Sequence, residues 1–261
     1  MGKIIALVNQ KGGVGKTTSS INLAASLGVL NRKVLLVDLD PQGNSTTGLG
    51  VTKSEYVNSV YEMMLDKASL DETIIKTKFK NLSILPATVN LAGIDAELSE
   101  LARNGLIPNK GGQLKKYLDE AAIKFDYVII DCPPSLGILT TNALTAANSV
   151  IIPVQCEFFA LEGIAQLVNT ILLAQKNLNP SLDIEGVLLT MLDSRTCLGL
   201  EVVEDIRGYF KERVYDTIIP RLVKLSEAPS HGKPIIYYAP QNRGAEAYLS
   251  LAKEVITRNG N

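Results

Sequence analysis

Ten residues near the start of the chain, Asn9-Gln10-Lys11-Gly12-Gly13-Val14-Gly15-Lys16-Thr17-Thr18, carry the groups needed to hold a polyphosphate. Gly12, Gly13 and Gly15 let the backbone turn tightly and approach a ligand with no Cβ in the way. A helix that follows such a turn offers N–H groups without partners, and its dipole adds partial positive charge, so phosphate binds there. Lys16 reaches the β- and γ-phosphates and the Thr17 hydroxyl holds Mg²⁺. Gly12, Gly13, Val14, Gly15, Lys16, Thr17 and Thr18 are therefore the expected nucleotide contacts. The usual spacing, G-x-x-x-x-G-K-[ST], asks for glycine at position 10, where this chain has Gln10. It has instead a second lysine, Lys11. Charge on a transferring phosphoryl group is neutralised in some enzymes by a cation from across an interface. Two subunits facing each other over two nucleotides would let each Lys11 reach the other's phosphate. Nucleotide would then hold a symmetric dimer together.

Carboxylates come from the ends of two apolar runs. Lys33-Val34-Leu35-Leu36-Val37-Asp38 continues into Leu39-Asp40-Pro41-Gln42-Gly43-Asn44, and Asp126-Tyr127-Val128-Ile129-Ile130-Asp131 continues into Cys132-Pro133-Pro134. Parallel strands put both ends on the rim that carries the glycine loop. Asp131 is positioned like the carboxylate that holds Mg²⁺ directly or through water, with Asp38 a second candidate beside the metal. Asp40, at the start of a Pro/Gly loop, is placed to contact the metal or to orient the attacking water. The competing reading is that these aspartates cap loops, as Asp often does.

The elements that must position these groups alternate along the chain. Ile4–Val8 reads as a buried strand and Ser19–Leu30 as a helix. Residues 56–75 and 90–124 read mostly as helices, with a strand over Leu82–Leu85 and a loop over 103–112. Strands follow over Ser149–Val154 and Ile184–Leu192, and helices over Gly163–Leu178, Gly199–Val214 and Gly244–Arg258. Continuous apolar strands flanked by helices predict an α/β, doubly wound, mostly parallel sheet covered on both faces. Ligands bind such sheets beyond the carboxyl ends of the strands.

Composition narrows the classes. The 261 residues suit one α/β domain or two small ones, and 46% are hydrophobic, enough for a sizeable core. A net charge of −1 gives no global field toward nucleic acid or acidic membrane, so any such binding needs a local patch. Cys132, Cys156 and Cys197 are widely spaced and form no C-x-x-C pair, which argues against a zinc site and a disulfide framework and for a reducing cytoplasm. No leader pattern and no run of about 18 apolar residues is present. The single histidine, His231, sits in a turn-like segment without an acid or nucleophile beside it.

Together KGGVGKTT with its extra lysine, VDLDPQGN and DCPPSLG resemble the deviant Walker A ATPases. The similarity continues through Val150–Gly163, Gly186–Thr196, Ile219–Ile235 and Arg243–Val255, nearly the whole chain, and is specifically to the ParA/Soj chromosome- or plasmid-partitioning ATPases. The resemblance implies a single ParA-type ATPase domain over 1–261, a P-loop fold, and a dimer formed with Mg²⁺ and ATP from a protein that is monomeric without it. It implies binding to double-stranded DNA without sequence preference, and a ParB/Spo0J-like partner that stimulates hydrolysis and release. Lys11 then matches the intersubunit lysine and Asp40 the aspartate that serves hydrolysis, so Lys11, Lys16 and Asp40 form the expected catalytic set. The implied location is the cytoplasm, on the nucleoid. Family members also act on replication initiation through DnaA, which no residue here marks.

DNA contact is expected from Arg195, Arg221, Lys224, Lys233 and Arg243. The residues alone favour a solvated surface with scattered cations. The resemblance favours Arg195 and Lys224, where Soj-like proteins carry DNA-contacting arginines. Lysine at 224 keeps the charge but loses the bidentate geometry. Pro220 and Arg221 follow a strand end and are equally candidates to lie near the adenine base. A membrane-cycling relative would need a basic amphipathic C-terminal helix. Leu251–Asn261, with Lys253, Glu254 and Arg258, does not provide one. A helix-turn-helix extension before the first strand is not expected either.

Overall fold

The computed structural model describes residues 1–157, 160–193 and 195–260, and for 160–163 the backbone alone. Phe158, Phe159 and Ser194, which belong to segments carrying the resemblance, lie outside the described residues. Among the described residues seven strands form one sheet: β1 (Lys3–Leu7), β2 (Val34–Asp38), β3 (Ile75–Lys76), β4 (Leu82–Leu85), β5 (Tyr127–Asp131), β6 (Ser149–Gln155) and β7 (Asp183–Thr190). Their order is β3-β4-β2-β5-β1-β6-β7, with every neighbouring pair parallel except β3 with β4. The register pairs Leu7 with Asp131 and Asp38 with Asp131, so β1, β2 and β5 end together on one edge.

Alternation along each strand divides the core into two layers. Ile4, Ala6, Leu35, Val37, Val128 and Ile130 point into one, which is covered by α3 (Val60–Met64), α5 (Ile94–Arg103), α6 (Gln113–Lys124), α7 (Ile138–Ala146), α8 (Ala160–Asn177) and α9 (Cys197–Phe210). Ile5, Leu7, Val34, Leu36 and Ile129 point into the other, under α1 (Lys16–Val29), α10 (Val223–Glu227), α11 (Ile235–Tyr238) and α12 (Arg243–Arg258). Two short helices, α2 (Asn44–Gly48) and α4 (Leu70–Thr73), complete the set. Ile5, Leu7, Leu35 and Leu36 are fully buried. Each such side chain contributes about 1.5–3 kcal/mol relative to exposure.

The expected doubly wound, mostly parallel architecture holds, with two local corrections. Residues 56–75, expected mostly as helices, hold only two short ones, Val60–Met64 and Leu70–Thr73. Ser59 with Glu62 and Ser69 with Glu72 each close a capping box, and Asp66 adopts left-handed backbone (φ 59) between them. Ile75 leaves this segment to pair antiparallel with Ile84 at the sheet edge. The helix expected over 199–214 starts at Cys197 and stops at Phe210, because Lys211 takes φ 51 and turns the chain into a 3₁₀ segment.

Candidate functional site

The glycine loop is pinned by two neighbouring strands, β6 and β7. Asn9 Nδ2 donates to the Pro153 carbonyl (2.7 Å) while its Oδ1 accepts from the Lys11 N–H (3.0 Å). From the end of the adjacent strand β7, Thr190 Oγ1 donates to the Val14 carbonyl (2.9 Å). Gly13 (φ 76) and Gly15 (φ 89) occupy left-handed backbone that a side chain would strain. Lys16 folds back over the loop and its Nζ donates to the Lys11 carbonyl (3.1 Å). Burial pulls the Lys16 ammonium below its ordinary pKa, and the charges of Asp131 and Asp40 resist that shift. The Lys11 side chain stands exposed on the outer surface of the loop.

Asp131 and Asp38 lie side by side, fully buried. Asp131 Oδ1 accepts from Ser20 Oγ (3.0 Å) and Oδ2 from Ser45 Oγ (2.8 Å). Burial raises its pKa, while hydrogen bonds from Ser45, Thr17 and Ser20 oppose the rise. Asp38 Oδ2 accepts both the N–H and the hydroxyl of Thr46 (2.7 Å each), and Oδ1 accepts the Asp40 N–H (3.3 Å). Burial, then the neighbouring Asp131 charge, raise its pKa as well. Asp38 therefore ties down the loop that carries Asp40. Asp40 itself accepts the Gln42 N–H (3.0 Å) through Oδ1.

Two cavities meet at this edge. One, of about 390 Å³, is lined by Gly12, Gly13, Lys16, Thr17, Asp40 and Asn44 among others. The second, of about 200 Å³, is lined by Thr190, Pro220, Arg221, Leu225 and Tyr248 among others. Gly15, Thr18 and Met191 belong to both walls, so the polar and the more apolar chamber adjoin. Met191, at the end of β7, holds φ 54, a conformation that costs a non-glycine residue about 1–2 kcal/mol. The arrangement suits a phosphate chain in the first chamber and an apolar ring in the second. Among the described residues no three His, Cys, Asp or Glu side chains gather into a metal cage. The donor set fits instead a hard cation held by the Thr17 hydroxyl and by oxygens of the bound ligand and water, with buried carboxylates behind.

The structure thus brings Gly12, Gly13, Val14, Gly15, Lys16, Thr17, Thr18, Asp40, Asp131, Pro220 and Arg221 to one edge. The expected DNA-contacting residues are spread wider and several are paired. Arg195 Nε and Nη2 reach the two oxygens of Asp193 (2.8 and 2.6 Å). Lys224 pairs with Glu227 (2.8 Å) and Arg221 with Glu157 (3.3 Å). Arg243 opens α12 beside a cavity shared with Leu192 and Pro220, and Lys233 is exposed after Gly232. His231 stacks on Tyr238 with centroids 4.8 Å apart, in keeping with a structural role. Ser20, Ser45, Thr46 and Met191 were not singled out from the sequence. Ser20 had a usable signal, since it lies one helical turn after Lys16 on the same face.

Comparison with known proteins agrees with this geometry. The AAA domain family matches residues 2–184. The chain is 57% identical to the sporulation initiation inhibitor protein Soj of Bacillus subtilis (strain 168) over 255 residues, 98% of each chain. It is 49% identical to the chromosome-partitioning ATPase Soj of Treponema pallidum (strain Nichols), covering 100% of this chain and 99% of that one. The fold superposes with a TM-score of 0.85 on cobyrinic acid a,c-diamide synthase from Mycobacterium smegmatis, a structure with bound ADP and magnesium, at 36% identity over 100% and 97% of the two chains. The chain belongs to the Soj/ParA family of chromosome-partitioning ATPases.

Proposed function

We propose that residues 1–261 act as one nucleotide-switched DNA-segregation ATPase domain. The carrying observation is the adjoining pair of chambers at the glycine loop, polar at Lys16 and Asp40 and apolar at Pro220 and Leu225. As an ATPase of this family the protein works on ATP with Mg²⁺. The phosphates lie against the N–H groups of Gly12–Thr18, and the adenine extends toward Pro220 and Arg221. Thr17, with Asp131 and Asp40 near it, would hold Mg²⁺, which supplies positive charge to the β- and γ-oxygens. Lys16 neutralises charge on the same oxygens, and Asp40 orients water toward the γ-phosphorus. The water oxygen bonds to phosphorus as the bond to the β-phosphate oxygen breaks, leaving ADP and phosphate. Lys11 from a second copy completes the charge balance, so hydrolysis belongs to an ATP-bound dimer.

Dimerisation doubles a weak basic surface made of Arg195, Arg221, Lys224, Lys233 and Arg243, and so gates retention on duplex DNA. Exposed ion pairs such as Arg195 with Asp193 are worth about 0–1 kcal/mol, little enough for a phosphate to displace the carboxylate. A ParB/Spo0J-like partner stimulates hydrolysis and thereby release. The site of action is the cytoplasm, over the nucleoid. Membrane attachment is disfavoured because α12 spends its apolar face on the core through Tyr248, Leu251, Ala252 and Val255, and no helix among the described residues is long and apolar enough to cross a bilayer. Light scattering of Lys11→Ala with Mg-ATP tests the scheme. It should stay monomeric while still binding ATP, whereas a dimer of unchanged affinity would remove Lys11 from the interface.

A further inference from the structure

Several cations expected to meet DNA are already engaged with carboxylates, Arg195 with Asp193, Lys224 with Glu227 and Arg221 with Glu157. An adjoining surface carries amines that are not. Lys78, Lys80 and Lys233 are exposed, and among the described residues none has a carboxylate within ion-pair distance.

The sequence Lys76-Thr77-Lys78-Phe79-Lys80 forms the end of β3 and the turn into β4. Its lysines face solvent while Phe79 is buried. Phe79 packs on Tyr237 with ring centroids 4.8 Å apart, and the Lys80 N–H donates to Tyr237 Oη (3.1 Å). The turn is thereby fastened to α11. Gly50 and Gly232 make a backbone contact beside it. A Cβ on Gly50 would lie 2.9 Å from the Gly232 carbonyl and 3.0 Å from Lys78 Nζ. The Lys78 ammonium therefore sits next to the segment that carries Lys233. On the other side of the same surface, Tyr238 stacks with His231 and lies 5.5 Å from Lys224 Nζ. The acids at hand are Glu227, which accepts from Lys224 and Tyr238, and Glu55, whose carboxyl is held below its ordinary pKa by the hydrogen bonds from Thr52 and, less, by the Lys78 charge.

We propose that Lys233, Lys78 and Lys80 form a phosphate track that carries duplex DNA beyond Lys224 across the α11 surface to the β3–β4 turn. The proposal rests on the DNA-binding reading given above. Three exposed amines on two separate segments match spaced backbone phosphates and read no base edge. Of the rings beside them Phe79 is buried, Tyr237 and Tyr238 are half-buried and pack on Phe79 and His231, and only His231 among the four is exposed, so no run of open rings is offered to successive bases. That favours a duplex backbone over a single strand.

The test is the doubly substituted protein Lys78→Gln/Lys80→Gln, bound to Mg²⁺ and a non-hydrolysable ATP analogue, titrated with random-sequence duplex between about 50 and 200 mM salt. Four phosphate contacts per dimer are removed. Each carries a slope of about 0.9 in log K against log salt, so the affinity lost over that range shrinks about 150-fold. Light scattering should show the same dimer, and Lys78→Arg/Lys80→Arg should restore the slope. An unchanged slope for the Gln variant, with the parent dimer still binding DNA, overturns the track and leaves the DNA reading standing. A parent dimer that ignores DNA overturns both. Vesicles of phosphatidylserine and phosphatidylcholine form the second arm. Loss of vesicle binding in place of DNA binding assigns the surface to lipid headgroups and overturns the proposal.

Discussion

Replacing Asp38 separates a positioning role from a metal role. Its carboxylate accepts the Thr46 N–H and hydroxyl at 2.7 Å and the Asp40 N–H at 3.3 Å, all within the buried interior. Asp38→Ala leaves two buried N–H groups without an acceptor, at about 1–3 kcal/mol each. The Thr46 hydroxyl also loses its acceptor, so a loss of about 3–5 kcal/mol is expected. At about 2–4 °C per kcal/mol for a chain of this size, the melting temperature should fall by about 6–20 °C. Asp38→Asn keeps one acceptor oxygen but removes the charge, which leaves neutral bonds about half as strong, so a loss of about 1–2 kcal/mol is expected. In both variants the loop from Asp40 to Thr46 loses its anchor. A shift of about 1 Å at Asp40 lowers kcat about 100-fold. Calorimetry and steady-state hydrolysis measured over a Mg²⁺ titration decide the matter. The geometry predicts lower stability, lower kcat and an unchanged Mg²⁺ half-saturation. Unchanged melting with a tenfold higher Mg²⁺ requirement would refute it, because Asp38 would then be contacting the ion.

The same pair gives the nucleotide-free protein a pH dependence. Asp38 and Asp131 both have folded pKa values raised above their unfolded ones, chiefly by burial. The folded state therefore holds more protons than the unfolded state above about pH 4, and this contribution to stability is lost as pH rises toward neutrality. Melting curves of Asp38→Asn should show a flatter fall than the unsubstituted protein over that range; parallel curves would contradict the assignment. Gly12 has no atom within 4 Å of a Cβ built on it, and its φ lies outside the left-handed region. Gly12→Val should therefore melt within about 0.5 kcal/mol of the parent and bind ATP, yet fail to dimerise because the added methyls stand on the loop's outer surface. Dimerisation at parental affinity, followed by sedimentation, would place the interface elsewhere.

Legibility followed the range of the forces involved. β1, β2 and β5 were readable because continuous apolar runs of Val, Ile and Leu state a strand buried on both faces. The glycine loop was readable because its chemistry is written in consecutive residues. The two capping boxes at Ser59 and Ser69 were also written locally, and the starts of the two short helices within 56–75 were legible from them. Other parts were not local. That Ser20 and Ser45 both donate to Asp131 follows only from β5 lying between β1 and β2. That Met191 walls both chambers depends on β7 running past the loop. The burial of Asp38 under Thr46 required the fold of α2, a five-residue helix too short to announce itself by periodicity. Basic residues were countable from the sequence, but which of them are paired depended on side-chain reach across loops, as with Arg221 and Glu157.

The central claim is that nucleotide state sets assembly and assembly sets DNA binding. Light scattering of Asp40→Ala in Mg-ATP and in Mg-ADP, followed by a nonspecific-DNA shift on the same samples, tests it most directly. The account predicts a dimer in Mg-ATP alone, stable because hydrolysis is blocked, and DNA retention by that sample alone. A monomer under both conditions, or a dimer that ignores DNA, would contradict it.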